Sequence, residues 1–147
     1  MNKENILISS CLLGKNCKYN GGNNYNVDVM KLSEKYNLIE ICPEVMGGLS
    51  IPRIPCEIIE NKVINKEGID CTEQYSIGAK LSLEIAKKNN CKYAILKENS
   101  PSCGFGTIYD GTFTSTKKKG NGITANLLYK NGIVVLNENN FYKEFYK

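Results

Sequence analysis

The sequence predicts an α/β fold, a single domain with a mostly parallel sheet and helices on both faces. Three observations predict it. Short apolar runs of strand length alternate with longer segments of helical periodicity, the rhythm of β-helix-β units. The chain has 147 residues, 41% of them hydrophobic, enough for one proper core, and no repeat or low-complexity linker divides it. Finally, Cys11, Cys42 and Cys103 each follow a predicted strand and border a turn. Open α/β sheets bind ligands outside the carboxyl ends of their strands, so thiols delivered to that edge can meet at one point. The expected architecture is a Rossmann-like three-layer domain over residues 1–147.

Residues 5–10 read as the first buried strand, because the run is short, apolar and followed by a Gly-rich turn. Leu12 to Asn24 is rich in Gly and Asn and reads as loop. Val27 to Tyr36 reads as a helix, with Val29, Met30, Leu32 and Tyr36 available for one side. Residues 38–42 form the second expected strand. Pro43 to Pro55 holds Gly47-Gly48 and further prolines, which suggests an irregular active-site loop. Glu57 to Val63 reads as a hairpin bending at Glu60-Asn61-Lys62.

The strongest helix runs from Thr72 to Lys88. Thr72 suits the N-cap, Glu73 the first turn, and Lys87 and Lys88 the last. Ile77, Leu81 and Ile85 give its apolar stripe, which Leu83 and Ala86 widen. Lys92 to Leu96 is the next strand. A helix near Ile123 to Tyr129, a strand from Gly132 to Leu136 and an aromatic terminal helix from Asn139 to Tyr146 complete the pattern.

Composition narrows the chemistry. There is no histidine, which excludes Ser-His and Cys-His nucleophiles, His-containing zinc sites and His-Glu metalloprotease helices. Net charge is +4, below what a nucleic-acid binder usually carries but suited to a small anionic substrate. The seven cysteines are dispersed, unlike those of a secreted disulfide scaffold, so free thiols in a reducing cytoplasm are expected. The apolar stretch ahead of Cys11 is shorter than the roughly 7–15 residues of a signal-peptide core. No segment approaches the roughly 20 apolar residues of a membrane span. No P-loop and no Gly-x-Gly-x-x-Gly follows the first strand, so ATP and NAD are not implied.

Three thiolates without histidine suit a thiophilic metal or an iron–sulfur cluster with one position left open. No short Cys-x-x-Cys ligand pair is present, which weakens the spacing signal for a shared site, and spacing alone does not separate an iron–sulfur cluster from zinc. Cys91 and Cys71 read as buried small hydrophobes, and Cys17 and Cys56 are not assigned. Glu44 follows Cys42 by two residues and can reach anything bound there, which suits proton transfer. Ser100 and Ser102 place two hydroxyls just before the thiol of Cys103, and Gly104 permits backbone to approach a ligand. Lys97 and Glu98 read as a local ion pair.

Taken in order, Ser10-Cys11-Leu12-Leu13-Gly14, Tyr19-Asn20-Gly21, Cys42-Pro43-Glu44, Gly47-Gly48-Leu49 and Pro52-Arg53 form one half of a pattern. Asp70 with Thr72, Gly78-Ala79, Leu96-Lys97-Glu98, Ser100 to Gly104, Ile108-Tyr109-Asp110-Gly111 and Gly122-Ile123-Thr124-Ala125 form the other. The set resembles the thiouracil desulfurase family in its short, single-domain form. That resemblance implies an enzyme with a [4Fe–4S] cluster held by Cys11, Cys42 and Cys103, the fourth iron open to the sulfur of a thiolated pyrimidine. The implied reaction replaces C=S by C=O in 2- or 4-thiouracil, or its nucleoside or nucleotide, and releases sulfide without net redox change. Glu44 would transfer the proton with help from Ser100 or Ser102, and Arg53, Gly48 and Gly104 would bind substrate. The sequence departs from the family at Asn20, where Asp is usual, and at Cys56, where a small residue is usual.

Two other readings stand beside this one. The same thiolates would serve a non-catalytic metal- or iron–sulfur-binding module or a sulfur carrier. The basic run Lys117-Lys118-Lys119, otherwise a solvated loop, is the local support for a tRNA-thiolation protein that binds thiolated tRNA. No membrane partner is expected, and the oligomeric state is left open.

Overall fold

A computed structural model describes residues 3–146. Its centre is a four-stranded, wholly parallel sheet of β1 (Glu4–Ser9), β2 (Tyr36–Ile41), β5 (Tyr93–Leu96) and β8 (Val134–Asn137), ordered β2-β1-β5-β8. The chain leaves β1 for β2 on one side and later returns to β5 on the other. The strand order therefore reverses between β1 and β5, and a crevice opens at their carboxyl ends.

Both faces of the sheet are covered, as the sequence predicts. On one face Leu7, Ile41, Ala94, Leu96 and Val135 pack against Ala86 of α3 (Thr72–Lys88) and Ala125 and Leu128 of α4 (Ile123–Lys130). On the other, Ile6, Ile8 and Ile95 meet Leu12, Phe141 and the Val29 and Leu32 side chains of the first crossover. That crossover is α1 (Val27–Met30) continued by a 3-10 turn, Lys31–Glu34. The Asn26 side chain caps it by accepting from the amides of Asp28 and Val29 at 3.0 and 3.1 Å. Tyr36 belongs to β2 rather than to this helix, and Phe145 of α5 (Tyr142–Phe145) packs edge-on against it. The terminal helix is shorter than the sequence suggests because Asn137 and Asn140 fold the chain before it into a side-chain-braced turn.

A third cluster joins the antiparallel hairpin β3 (Cys56–Ile59) and β4 (Lys62–Asn65) to the first turns of α3. Here α3 departs from its predicted details. Cys71 occupies the N-cap, and the hydroxyl of Thr72 accepts from the Val63 amide at 2.9 Å, tying helix to hairpin. Ile77 and Leu81 face solvent, whereas Tyr75, Gly78, Ala79, Ser82 and Ala86 are buried. The buried stripe consists mostly of small residues because two helices come close to it.

One of these is α2 (Pro43–Met46), a helical turn within the segment expected to be irregular. A side chain on Gly78 would strike the Pro43 carbonyl, and one on Gly47 would strike the Gln74 carbonyl. The two glycines let α2 lie directly on α3. A further hairpin, β6 (Thr107–Tyr109) with β7 (Lys117–Lys119), makes the basic run an exposed strand rather than a loop. No helix among the described residues is long and apolar enough to cross a membrane.

Candidate active site

Each key side chain is placed by the end of a central strand. The chain leaves β1 into a 3-10 turn, Ser10–Leu13, which carries Cys11. Cys42 leaves β2 as the N-cap of α2, and Pro43 in the first turn starts that helix with its fixed φ. Glu44 then lies one residue inside α2. After β5 the chain turns at Asn99, and Ser100 to Gly104 form a loop beneath α4. The first-turn amides of α4 lack partners within their own helix. They find them in this loop, where Ile123 donates to Pro101 O at 2.9 Å and Thr124 and Ala125 donate to Ser102 O at 2.9 and 3.0 Å. A short element thus holds the Cys103 loop in place.

These parts line one cavity of about 440 Å³ that contains Cys11, Cys42, Cys103, Glu44, Ser100 and Ser102. Arg53 lines it too, but its hydrogen bonds go to the protein. Its Nε donates to Glu44 Oε1 at 2.9 Å, its Nη2 to Cys17 O at 2.9 Å and its Nη1 to Ser50 O at 3.2 Å. The ion pair is little exposed, 8% for Arg53 and 14% for Glu44. Arg53 therefore anchors the carboxylate, with three of its five N–H donors engaged by the protein.

Glu44 Oε2 receives the serines in a defined order. Ser100 Oγ accepts from the amides of Ser102 and Cys103, each at 3.1 Å. Its lone pairs are then filled, so it donates its one hydrogen to Ser102 Oγ at 2.9 Å. Ser102, 2% exposed, donates in turn to Glu44 Oε2 at 2.9 Å, while Ser100 is farther from that oxygen at 3.4 Å. The chain of hydroxyls runs from Ser100 through Ser102 to Glu44.

The thiols differ in electrostatic setting. The Cys17 thiol, donating to Cys42, holds Cys42 down at about 6, and the Arg53 charge adds to this. As the donor in that pair, Cys17 is raised. Burial pushes Cys103 up to about 12, against a hydrogen bond from Ser9 at 3.3 Å. Burial also raises Cys11, opposed by Asn24 Nδ2 at 3.4 Å and reinforced by Cys42. Cys11 feels the charge of Cys42, and Cys103 feels that of Cys11, so the three share one electrostatic neighbourhood.

The thiols do not meet at a single point. Among the described residues, no three Cys, Asp or Glu side chains are close enough to hold one metal ion. A single zinc needs all its sulfurs at about 2.3 Å. A four-iron cubane binds each thiolate to a different iron and so spreads its ligands apart. The donor set, soft thiolates without imidazole, is of the kind such a cluster takes.

Two predicted substrate contacts lie elsewhere. Gly48 is exposed and outside the cavity lining, and with φ +104° it turns the chain at the end of α2. Gly104 is buried, also outside the lining, where a side chain would meet Ser100 O at 2.7 Å. Backbone packing thus accounts for Gly104, and the left-handed backbone conformation for Gly48. Lys97 pairs with Glu138, just past β8, at 2.9 Å instead of with neighbouring Glu98. Sequence reasoning missed Tyr75, Ser9 and Asn24, which also line the cavity, and left Cys17 and Cys56 unassigned there. Ser9, directly before the Ser10-Cys11 pair, was the one nearest a visible signal.

Comparison with known proteins shows the family and the fold. The family model for 2-thiouracil desulfurase matches residues 6–140. The chain is 44% identical over 144 residues to YbbK, an uncharacterized protein of Bacillus subtilis strain 168, covering 91% of this chain and 95% of that one. It superposes on the solved structure of TudS, a [4Fe-4S]-dependent thiouracil desulfidase, with a TM-score of 0.91 and 37% identity, over 96% of this chain and 95% of that one. With nearly its whole length matched, the chain belongs to the 2-thiouracil desulfurase family.

Proposed function

We propose that this chain is a single-domain, iron–sulfur-dependent desulfidase acting over residues 1–147. It converts the C=S group of a thiolated pyrimidine, 2- or 4-thiouracil or its nucleoside or nucleotide, to C=O and releases sulfide. One observation carries the reading: an Arg53-anchored Glu44 with two ordered serines lies in the same cavity as three strand-end cysteines. Cys11, Cys42 and Cys103 would hold a [4Fe–4S] cluster with one iron free of protein ligands. When bound, that cluster supplies a thiophilic Lewis acid that favours sulfur over oxygen.

The protein residues handle binding and protons. Arg53 fixes Oε1 of Glu44, so the carboxylate presents a set orientation to the cavity. Glu44 takes a proton from the attacking water and returns one to the ring nitrogen or the leaving sulfur. Ser102 steadies Oε2, and Ser100 sets the direction of the Ser102 hydroxyl. The balance is that of a hydrolysis. The C–S bond breaks, a C–O bond forms from water, and the protons of water leave with sulfide as H₂S, with no electrons exchanged. All seven cysteines are free, which fits a cytoplasmic, reducing setting.

The test is anaerobic reconstitution with iron and sulfide, followed by incubation with 4-thiouracil, 2-thiouracil and the 4-thiouracil nucleotide. Sulfide and the matching oxo-pyrimidine should appear in equal amounts. A loaded protein that forms no sulfide from any of them would sink the proposal and favour a non-catalytic iron–sulfur module.

A further inference from the structure

We propose that Glu57 is a positioning residue for substrate binding, its carboxylate holding the 111–115 loop as one wall of the cavity. The inference rests on the desulfidase reading above. Glu57 lies in β3 and is only 9% exposed. Buried carboxylates are rare unless paired. Among the described residues no lysine or arginine forms a salt bridge with it. Its partners are main-chain amides instead. Oε1 accepts from Gly111 N at 2.9 Å and from Phe113 N at 3.1 Å.

The loop so held is an unfavourable conformation for its residues. Phe113 and Ser115 have φ of 57° and 60°, a left-handed region that non-glycine residues seldom adopt. Such conformations persist only where surroundings over-determine them, and they gather at ligand clamps. Gly111 lies so close to β3 that a side chain there would meet Ile58 O at 2.9 Å. On the exposed side Thr112, Thr114 and Thr116 link hydroxyls at 2.6 and 2.8 Å. Glu57, Tyr109, Phe113 and Ser115 line the same cavity as Cys11, Cys42, Cys103 and Glu44. Phe113 gives that wall an aromatic surface suited to a flat pyrimidine ring.

The experiment compares native protein, Glu57→Ala and Glu57→Gln, each reconstituted anaerobically. Steady-state kinetics use 4-thiouracil or its nucleotide, and hydrogen exchange is followed across residues 110–116. Loss of a wall that binds ground state and transition state alike raises KM and spares kcat. Glu57→Ala is expected to raise KM about fivefold or more, keep kcat within about threefold and keep the visible cluster spectrum. Exchange at Gly111 and Phe113 should quicken about tenfold. Glu57→Gln keeps an oxygen that accepts both amides, so it should restore KM and exchange. A rise in KM below about fivefold, a fall in kcat with KM unchanged, or no rescue by glutamine overturns the proposal. If native protein turns over no thiolated pyrimidine, the desulfidase reading has failed. The exchange comparison then decides the latch by itself, and unaltered exchange in Glu57→Ala overturns it.

Discussion

At the scale of single residues, Glu44 and its serines do different work. Glu44→Gln should retain the cluster and lower kcat by at least about 100-fold, the usual range for a lost proton-transfer group. Ser102→Ala removes one hydrogen bond to Oε2 and should lower kcat about tenfold, equivalent to about 1.4 kcal/mol. Sulfide release beside a visible spectrum checks both. Cys42 gives a pH test on cluster-free protein. Its lowered value, about 6, means that thiolate persists at neutral pH and is lost as pH falls through that value. Iodoacetamide should alkylate Cys42 before Cys103, and about tenfold more slowly at pH 5 than at pH 7. Mass spectrometry of labelled peptides reads the order. The sequence revealed the three cysteines because each follows an apolar run that is itself visible. It did not reveal that Arg53 serves Glu44, since that pair forms only once α2 and the loop after it fold against each other. Gly104 shows a related limit: a glycine signals a close approach without saying whether the visitor is a ligand or backbone, and here the Ser100 carbonyl is one such visitor.

Among the elements, α3 was legible in extent and misread in orientation. Its bounds follow from propensity and charged ends, both local. Which face turns inward depends on how near α2 and α4 come, and that is a tertiary matter. The contact yields a prediction of unusual sign. Gly→Ala inside a helix normally stabilises by about 0.5–1 kcal/mol. At Gly78 the added methyl meets the Pro43 carbonyl, so Gly78→Ala should destabilise by about 1–3 kcal/mol through overpacking. Because α2 carries Cys42 and Glu44, the same substitution should reduce iron retained per chain after reconstitution. Urea unfolding and iron analysis measure the two effects. The β6–β7 hairpin escaped the sequence reading because Lys117-Lys118-Lys119 has no apolar alternation to betray a strand.

For the whole molecule, the reversal of strand order explains why thiols so distant in sequence share one site. β1, β2 and β5 are adjacent and parallel, so their carboxyl ends deliver Cys11, Cys42 and Cys103 to one edge. A bound cluster would join three separate crossovers. Chelating it away anaerobically should lower Tm by at least about 5 °C, since a ligand that binds only the folded state stabilises it. Calorimetry on loaded and stripped protein checks this, and an unchanged Tm would mean the strand ends are already fixed without the metal. The cavity at that edge has a less welcome side. A cleft wide enough for a heterocycle to reach thiols also lets in dioxygen and peroxide, both smaller than any pyrimidine. Thiolates that such oxidants can reach are the first groups they attack. The opening that would admit a substrate would therefore admit oxidants as well, and activity should decay faster in air than under anaerobic conditions.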